Sequence, residues 1–351
     1  MSPLCRHFGS CGGCTLQDVP EGQYRADKRN AVIRALTNAG VEAQVADLVA
    51  VPPGSRRRAV WKFVRRGELT ELGFHALKTH DIVDLHECLV LTPALVALVP
   101  KLRKTLTRLL AGGQHGEVRA AEADNGLDIA IRASAKLTPA LTTGLAAAAP
   151  ALKAIRITWN GALVFESAAP TIRFGKAQVK FPPDAFLQPT SEGEAALRAH
   201  VLAAMKGAKS VADLFAGCGT FSLPLAAHAR VHAVEREQPL LDALAAAARA
   251  TSGLKPVTIA KRDLFKIPLT PPELNKFDAV TLDPPRAGAE AQARQLVLSK
   301  VARLAYVSCD AQTFARDARF LTQGGYAIGT VTPVDQFLWS SHIELVAAFT
   351  R

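Results

Sequence analysis

The chain has no stretch approaching the roughly 20 uncharged apolar residues that cross a bilayer. Its Ala-rich segments, LAAAAPAL and LLDALAAAARA, are helix formers and too short to span. The opening MSPLCRHFGSCGG lacks the apolar core of a signal peptide. No internal repeat and no low-complexity tail is visible in the 351 residues. These absences predict a cytoplasmic protein with no membrane partner, and a monomer is expected. Disulfides are rare in the cytosol, so its cysteines are expected to be ligands or nucleophiles.

Cysteine itself is scarce. There are six: Cys5, Cys11, Cys14, Cys88, Cys218 and Cys309. Three crowd the first 14 residues and a fourth follows in HECLVL, while the other two lie far away in separate motifs. This splits the chain into a cysteine-bearing N-terminal region and a distal catalytic candidate. Negative charge is also in short supply, with 31 Asp and Glu against 42 Lys and Arg, for a formal +11. Such a surplus points to a polyanionic partner or to an ordinary basic surface.

What is present supports the first. Residues 22–40 read as an amphipathic helix, with Tyr24, Val32, Ile33 and Leu36 on one side and Arg25, Lys28, Arg29 and Arg34 elsewhere. The following PPGSRRRAVWKFVRRGELTELGFH reads as strands carrying Arg56, Arg57, Arg58 and Lys62, interleaved with Trp61 and Phe63. Basic residues alternating with aromatics suit a surface that holds phosphates and stacks bases, so RNA is expected there. We expect three units: a cysteine and RNA-binding region over 1–92, an accessory α/β domain over 93–180, and a parallel α/β domain over 181–351. The last is marked by SVADLF, RVHAVE, PVTIAKRD, FDAVTLDPP and RLAYVSC, apolar runs separated by helical segments.

In VADLFAGCGTFSLPLA a Gly-x-Gly turn, Gly217 and Gly219, follows a strand and precedes a helix. Glycines there let backbone approach a ligand closely. Glu235 ends the next strand, 18 residues after Gly217, where a carboxylate accepts bonds from ribose hydroxyls. The third glycine of a dinucleotide fingerprint is replaced by Ser222, which weakens a nicotinamide reading. Asp213, Glu235, Asp263 and Asp283 all fall at strand ends of one sheet and fit S-adenosylmethionine instead.

Asp283-Pro284-Pro285-Arg286 has no aromatic after the prolines, which argues against methylation of nucleobase amino groups. It also has no cysteine in DPPRAGAE, where RNA cytosine-C5 enzymes place one. The next strand delivers Cys309 at its C-terminal end, before a helix that starts near Asp310. A helix N-terminus favours an anion and is expected to lower the thiol pKa. Asp310 is a good N-cap, yet its charge beside Cys309 opposes thiolate formation. A thiolate adding to C6 of uracil turns C5 into a nucleophile, and a base must then remove the C5 proton. SSHIELVAAF offers His342 and Glu344 on one face of the last strand, and Glu344 is the expected base because a carboxylate on an apolar strand is costly.

The set of Cys5-x5-Cys11-Gly-Gly-Cys14-x2-Gln17, Cys88, SRRRAVWKF, FLQPT, DLFAGCGTFSLPLA, LDPPRAG, VSCDAQTFARD and HIELV resembles the RNA (uracil-5-)-methyltransferase family. It looks most similar to the branch that methylates 23S ribosomal RNA and carries an iron–sulfur cluster. The resemblance implies a class I, Rossmann-like methyltransferase domain, S-adenosyl-L-methionine as methyl donor, Cys309 as nucleophile and Glu344 as proton acceptor. It implies that Gln188, the loop with Phe215 and Gly217, Glu235 and Asp283 line the cofactor and base site. It also implies a 4Fe-4S cluster on Cys5, Cys11, Cys14 and Cys88. Spacing alone suits zinc as well, with His80 and His86 near Cys88. A transfer-RNA substrate and a non-catalytic RNA-binding assembly factor remain the alternatives. The chain departs from the family at Thr190, Asp310-Ala311 and Leu338. Cys5 lies almost at the start, so no N-terminal RNA-binding barrel is expected.

Overall fold

The computed structural model describes residues 4–351. In chain order, the N-terminal part forms α1 (Glu21–Asn38), β1 (Val49–Ala50), β2 (Arg58–Arg66), β3 (Leu69–His75) and β4 (Ile82–Asp84). There follow α2 (Pro93–Leu109), β5 (His115–Ala123), β6 (Gly126–Ala133), α3 (Pro139–Leu152), β7 (Ala154–Trp159), β8 (Ala162–Glu166), β9 (Thr171–Phe174) and β10 (Ala177–Lys180). The remainder runs through α4 (Ser191–Ala204), β11 (Ser210–Leu214), α5 (Ser222–Leu225), β12 (Arg230–Glu235), α6 (Gln238–Ala250), β13 (Val257–Lys261), α7 (Pro271–Leu274) and β14 (Ala279–Leu282). It ends with α8 (Glu290–Val297), β15 (Arg303–Ser308), α9 (Ala311–Gln323), β16 (Ala327–Ile328), β17 (Thr332–Asp335) and β18 (Glu344–Thr350). No helix among the described residues is long and apolar enough to cross a membrane.

The C-terminal strands build a sheet in the order β1-β17-β18-β15-β14-β11-β12-β13, with β16 beside β18. The strands from β11 to β15 pair in parallel, and β18 runs antiparallel between β15 and β17. Every residue of β11 and β14 is buried, as expected of strands covered on both faces by helices. This is the sheet expected of a class I Rossmann-like domain. Its ligand edge lies at the C-terminal ends of β11, β12, β14 and β15.

The second sheet has the order β4-β3-β2-β5-β6-β7-β8. Trp61, Phe63, Leu72, Ile129, Ile157 and Trp159 join Leu98, Leu102 and Leu145 of α2 and α3 in its core. Strands on both sides of residue 92 therefore hydrogen-bond into one sheet, so the expected boundary at 92/93 cuts through a single structural unit. The N-terminal segment belongs elsewhere. Helix α1 packs against α9, and Val49 and Ala50 extend the C-terminal sheet beside β17.

Helix α1 buries Tyr24, Val32, Ala35 and Leu36, one apolar stripe. Lys28, read from the sequence as part of the charged side, lies within that stripe and is buried. It pairs with the buried Asp335, which offsets its desolvation.

Candidate active site

Two adjoining cavities lie beside the ligand edge. One, of about 540 Å3, is lined by Gln188, Phe215, Gly217, Glu235, Asp263, Asp283, Cys309 and Glu344, along with Arg56, Arg58 and Arg286. The other, of about 400 Å3, is lined by Cys5, Cys11, Cys14 and Cys88, with His342, Arg56, Arg286 and Phe337. Arg56, Arg286 and Phe337 form part of both walls.

The loop after β11 shapes the first cavity. Phe215 and Gly217 take positive φ angles of 63° and 55°, so the chain turns sharply at the strand end. A left-handed Phe costs energy, and such strain tends to persist at functional sites. The N–H of Gly217 donates to Glu235 Oε2 at 3.1 Å, while Glu235 Oε1 accepts from the amides of Arg236 and Glu237. Gly219 also has a positive φ, and a Cβ there would meet Leu223 and Leu244 at 3.0 Å. Gly219 is thus a close-packing position rather than part of the cavity wall, a correction to its expected ligand contact.

Asp213 needs a similar correction. It is wholly buried beneath the loop, off the cavity wall, and accepts a short hydrogen bond from Ser222 Oγ. Ser222, which stands where the dinucleotide fingerprint has glycine, ties the start of α5 to the strand end. Burial pushes the Asp213 carboxyl up to about 7, against the Ser222 bond.

Asp263 Oδ1 accepts from the amide of Phe265 at 3.1 Å, which fixes the acid at the cavity mouth. Phe265 lies 5.4 Å from the Phe215 ring, and both line the cavity. An acid at the end of β12, a second after β13, a backbone turn free of side-chain bulk and two aromatic rings suit a ribose and a purine. The residues present fit S-adenosylmethionine.

The reactive end lies across the cavity. Gln188 Nε2 donates to Asp283 Oδ2 at 3.3 Å, and Gln336 Nε2 donates to Gln188 Oε1 at 2.9 Å. Burial and the neighbouring Asp213 push the Asp283 carboxyl up to about 7. Strands β15 and β18 are paired with Ser308 opposite Leu345, which brings the next residues, Cys309 and Glu344, to the same end. Glu344 is buried, and desolvation together with Asp283 raises its pKa well above the usual carboxylate range, opposed by Arg286. His342 precedes β18, is exposed and lines the cysteine cavity, so it does not share a face with Glu344.

Asp310 caps α9 by accepting from the amides of Gln312 and Thr313 at 2.9 and 3.0 Å. At Cys309 the helix N-terminus is opposed by more than Asp310. Burial, then Glu344 and Asp283, push its thiol up to about 11, and Arg286 and its own backbone amide only partly oppose them. This further negative charge comes from two other strands.

The arginine strand behaves unlike its expected role. Trp61 and Phe63 point into the core of the second sheet and cannot stack bases. Arg57 pairs with Glu194 at 2.6 Å and donates to Gln188 O at 3.0 Å, so it braces the Gln188 segment. Lys62 pairs with Glu117 at 2.7 Å. Arg58 donates to Leu187 O and lies 4.5 Å from the exposed Phe186 ring, at the cavity. Only Arg56 and Arg58 of the four reach a cavity wall. Thr190 caps α4 through Gly193 N and lines the cysteine cavity, not the cofactor side.

The cysteines expected to bind a cluster do gather. His7 N donates to Cys5 Sγ at 3.5 Å, Gly13 N donates to Cys11 Sγ at 3.4 Å, and the amides of Val90 and Leu91 face Cys88. Among the described residues, no three His, Cys, Asp or Glu side chains converge tightly enough to hold a single metal ion. His80 lies off this cavity, and His86 pairs with Asp84 at 3.2 Å. Cys218 is a buried, small residue of the cofactor loop.

Residues 171–351 match the family described as tRNA (Uracil-5-)-methyltransferase. An uncharacterized RNA methyltransferase of Brucella suis is 43% identical over 350 residues, covering 100% of this chain and 84% of that one. One from Caulobacter vibrioides is 40% identical over 358 residues, covering 100% and 86%. The crystal structure of Pyrococcus abyssi tRNA (uracil-54, C5)-methyltransferase in complex with S-adenosyl-L-homocysteine shares the fold, with a TM-score of 0.76 at 22% identity over 96% of this chain and 86% of that one. Homology across the whole chain, and a family match through its catalytic half, establish that the protein belongs to the tRNA (uracil-5-)-methyltransferase family of S-adenosylmethionine-dependent RNA methyltransferases.

Proposed function

We propose that the protein methylates C5 of one uridine in 23S ribosomal RNA, with Cys309 as nucleophile and Glu344 as proton acceptor. The observation that carries the C5 chemistry is the meeting of Cys309, Glu344, Asp283 and Gln188 in one cavity with the Gly217 loop. The target base must leave its stack to reach a cavity of this kind. Gln188 and Asp283 are the groups that hold its polar edge. Asp283 is poised near 7, so it either donates or accepts there. Cys309, once deprotonated to its thiolate, adds to C6, and the electrons of the C5–C6 double bond move to C5. S-adenosylmethionine, which Phe215, Gly217, Glu235 and Asp263 would hold, would supply the electrophilic methyl group to C5 and leave as S-adenosylhomocysteine. Glu344 then takes the C5 proton, the C6–S bond breaks, and the electron pair returns to Cys309.

Arg56 and Arg58 are the members of the arginine strand assigned to RNA, because both line the cavity. The ribosomal branch is favoured by the resemblance of the motif that carries Cys5, Cys11 and Cys14, together with Cys88. A single zinc ion draws its sulfurs to about 2.3 Å from the metal. A cavity of about 400 Å3 lined by all four cysteines has room for the larger 4Fe-4S cluster, and backbone N–H groups aimed at sulfur suit bound thiolates. The cluster would be held by Cys5, Cys11, Cys14 and Cys88 and would brace this lobe. Protein purified anaerobically is expected to be brown and to carry about four irons per chain. Colourless protein with one zinc per chain overturns the cluster without touching the methylation chemistry.

The substrate is tested by mapping 5-methyluridine in total RNA from a deletion strain. Loss of one site in 23S RNA is the expected result. Loss from transfer RNA, the substrate named for the archaeal structure, would move the activity to that RNA.

A further inference from the structure

The segment between β17 and β18, residues 336–343, has no ladder partner of its own, yet it ends on Glu344. Its conformation is set by side chains from the far end of the sequence. Lys28 Nζ has three donors, and all three are spent on this segment and its root. One goes to Asp335 in a short bond, one to Phe337 O at 3.1 Å and one to His342 O at 2.9 Å. Tyr24, one turn earlier on α1, donates to Asp335 Oδ2 at 2.5 Å and accepts from Trp339 N at 2.8 Å. Thr15 N and Leu16 N donate to Trp339 O at 2.9 and 3.0 Å.

An ammonium on the buried stripe of a helix is unfavourable unless its bonds are complete. Desolvation indeed lowers the Lys28 pKa, opposed by Asp335. The three acceptors explain the lysine, and they lie at the start, at Phe337 and two residues before Glu344. The same segment puts Phe337 in the walls of both cavities.

We propose that Lys28 is a positioning residue for Glu344, fixing the 336–343 segment so that the carboxylate meets C5 of the bound uridine. This rests on the assignment of Glu344 as proton acceptor. Displacing a reacting group by about 1 Å costs on the order of 100-fold in rate. Lys28→Met keeps the aliphatic stem and removes the donors, and Tyr24→Phe removes only the hydroxyl.

The test uses 23S and transfer-RNA transcripts made with protium or deuterium at uridine C5, and the same transcripts with 5-fluorouridine. Lys28→Met is expected to lower kcat on the order of 100-fold with little change in KM. It also gains a deuterium isotope effect on kcat that exceeds that of the wild type. Its adduct with 5-fluorouridine RNA forms at the wild-type rate, because that step needs no proton removal. Tyr24→Phe shows the same pattern at about tenfold, and it carries the test if Lys28→Met folds poorly. Equal slowing of adduct formation and turnover, or no gain in isotope effect, overturns the positioning role while leaving the reaction intact. A wild type that methylates neither transcript overturns the reaction assignment first, and this inference with it.

Discussion

Cys309→Ala abolishes methyl transfer, with a loss on the order of 10^6 in kcat, the scale of removing an enzymic nucleophile. Wild-type protein incubated with S-adenosylmethionine and RNA carrying 5-fluorouridine is trapped as a covalent complex, and the variant is not. An undiminished adduct in Cys309→Ala would place the nucleophile elsewhere. The same cysteine carries a pH signature. The thiolate is the reactive form, and the thiol is pushed up to about 11 by burial and by Glu344 and Asp283. The anionic fraction therefore rises with pH throughout the neutral range. Alkylation of Cys309 by iodoacetamide in the free enzyme, followed on its peptide by mass spectrometry, should increase about tenfold per pH unit between 7 and 9. A rate already level at pH 7 would mean that the helix N-terminus outweighs burial and both carboxylates.

Glu344→Gln is expected to slow turnover by about 10^2–10^4, the range of a general base, and to leave the first steps intact. The variant should therefore accumulate the Cys309 adduct on ordinary uridine RNA, where wild type passes through it. Desolvation and Asp283 raise the Glu344 pKa, so its proton-accepting form is lost as pH falls through a value above the usual carboxylate range. In a single turnover, adduct breakdown in wild type should rise with pH and level off once Glu344 is ionised. The glutamine variant should show no such rise. Product release at the wild-type rate in Glu344→Gln would assign the proton to another group.

The methyltransferase half was legible because its motifs mark strand ends. A Gly-x-Gly turn, a Pro-Pro pair and the Ser-Cys-Asp step each stop an apolar run, and all fall at one edge of the sheet. The arginine strand misled for a physical reason. Alternation along β2 sends Trp61 and Phe63 to the core, while the acceptors that engage Arg57 and Arg58 lie about 130 residues away at Gln188 and Leu187. Lys28 was placed off the apolar side of α1 because its partner Asp335 is remote in sequence. The thiol pKa failed similarly. The helix after Cys309 is local and visible, whereas Glu344 and Asp283 arrive from other strands. Asp213 was placed at the ligand because strand-end acids often reach one, but Ser222 occupies it from below. Gln336 and Phe337, cavity-lining residues that the sequence reading missed, lie six and five residues before the HIELV motif and had only that proximity to signal them.

The pairing of β1 with β17, and of Tyr24 with Asp335 across 311 residues, also constrains how the chain is made. Synthesis at about 5–20 residues/s separates those partners by roughly 15–60 s. For that interval the apolar stripe of α1 has nothing of its own to cover it. The second sheet, whose strands all lie between residues 58 and 166, can close meanwhile. The nascent chain thus acquires a folded middle before either end, and its first helix waits for its last strands.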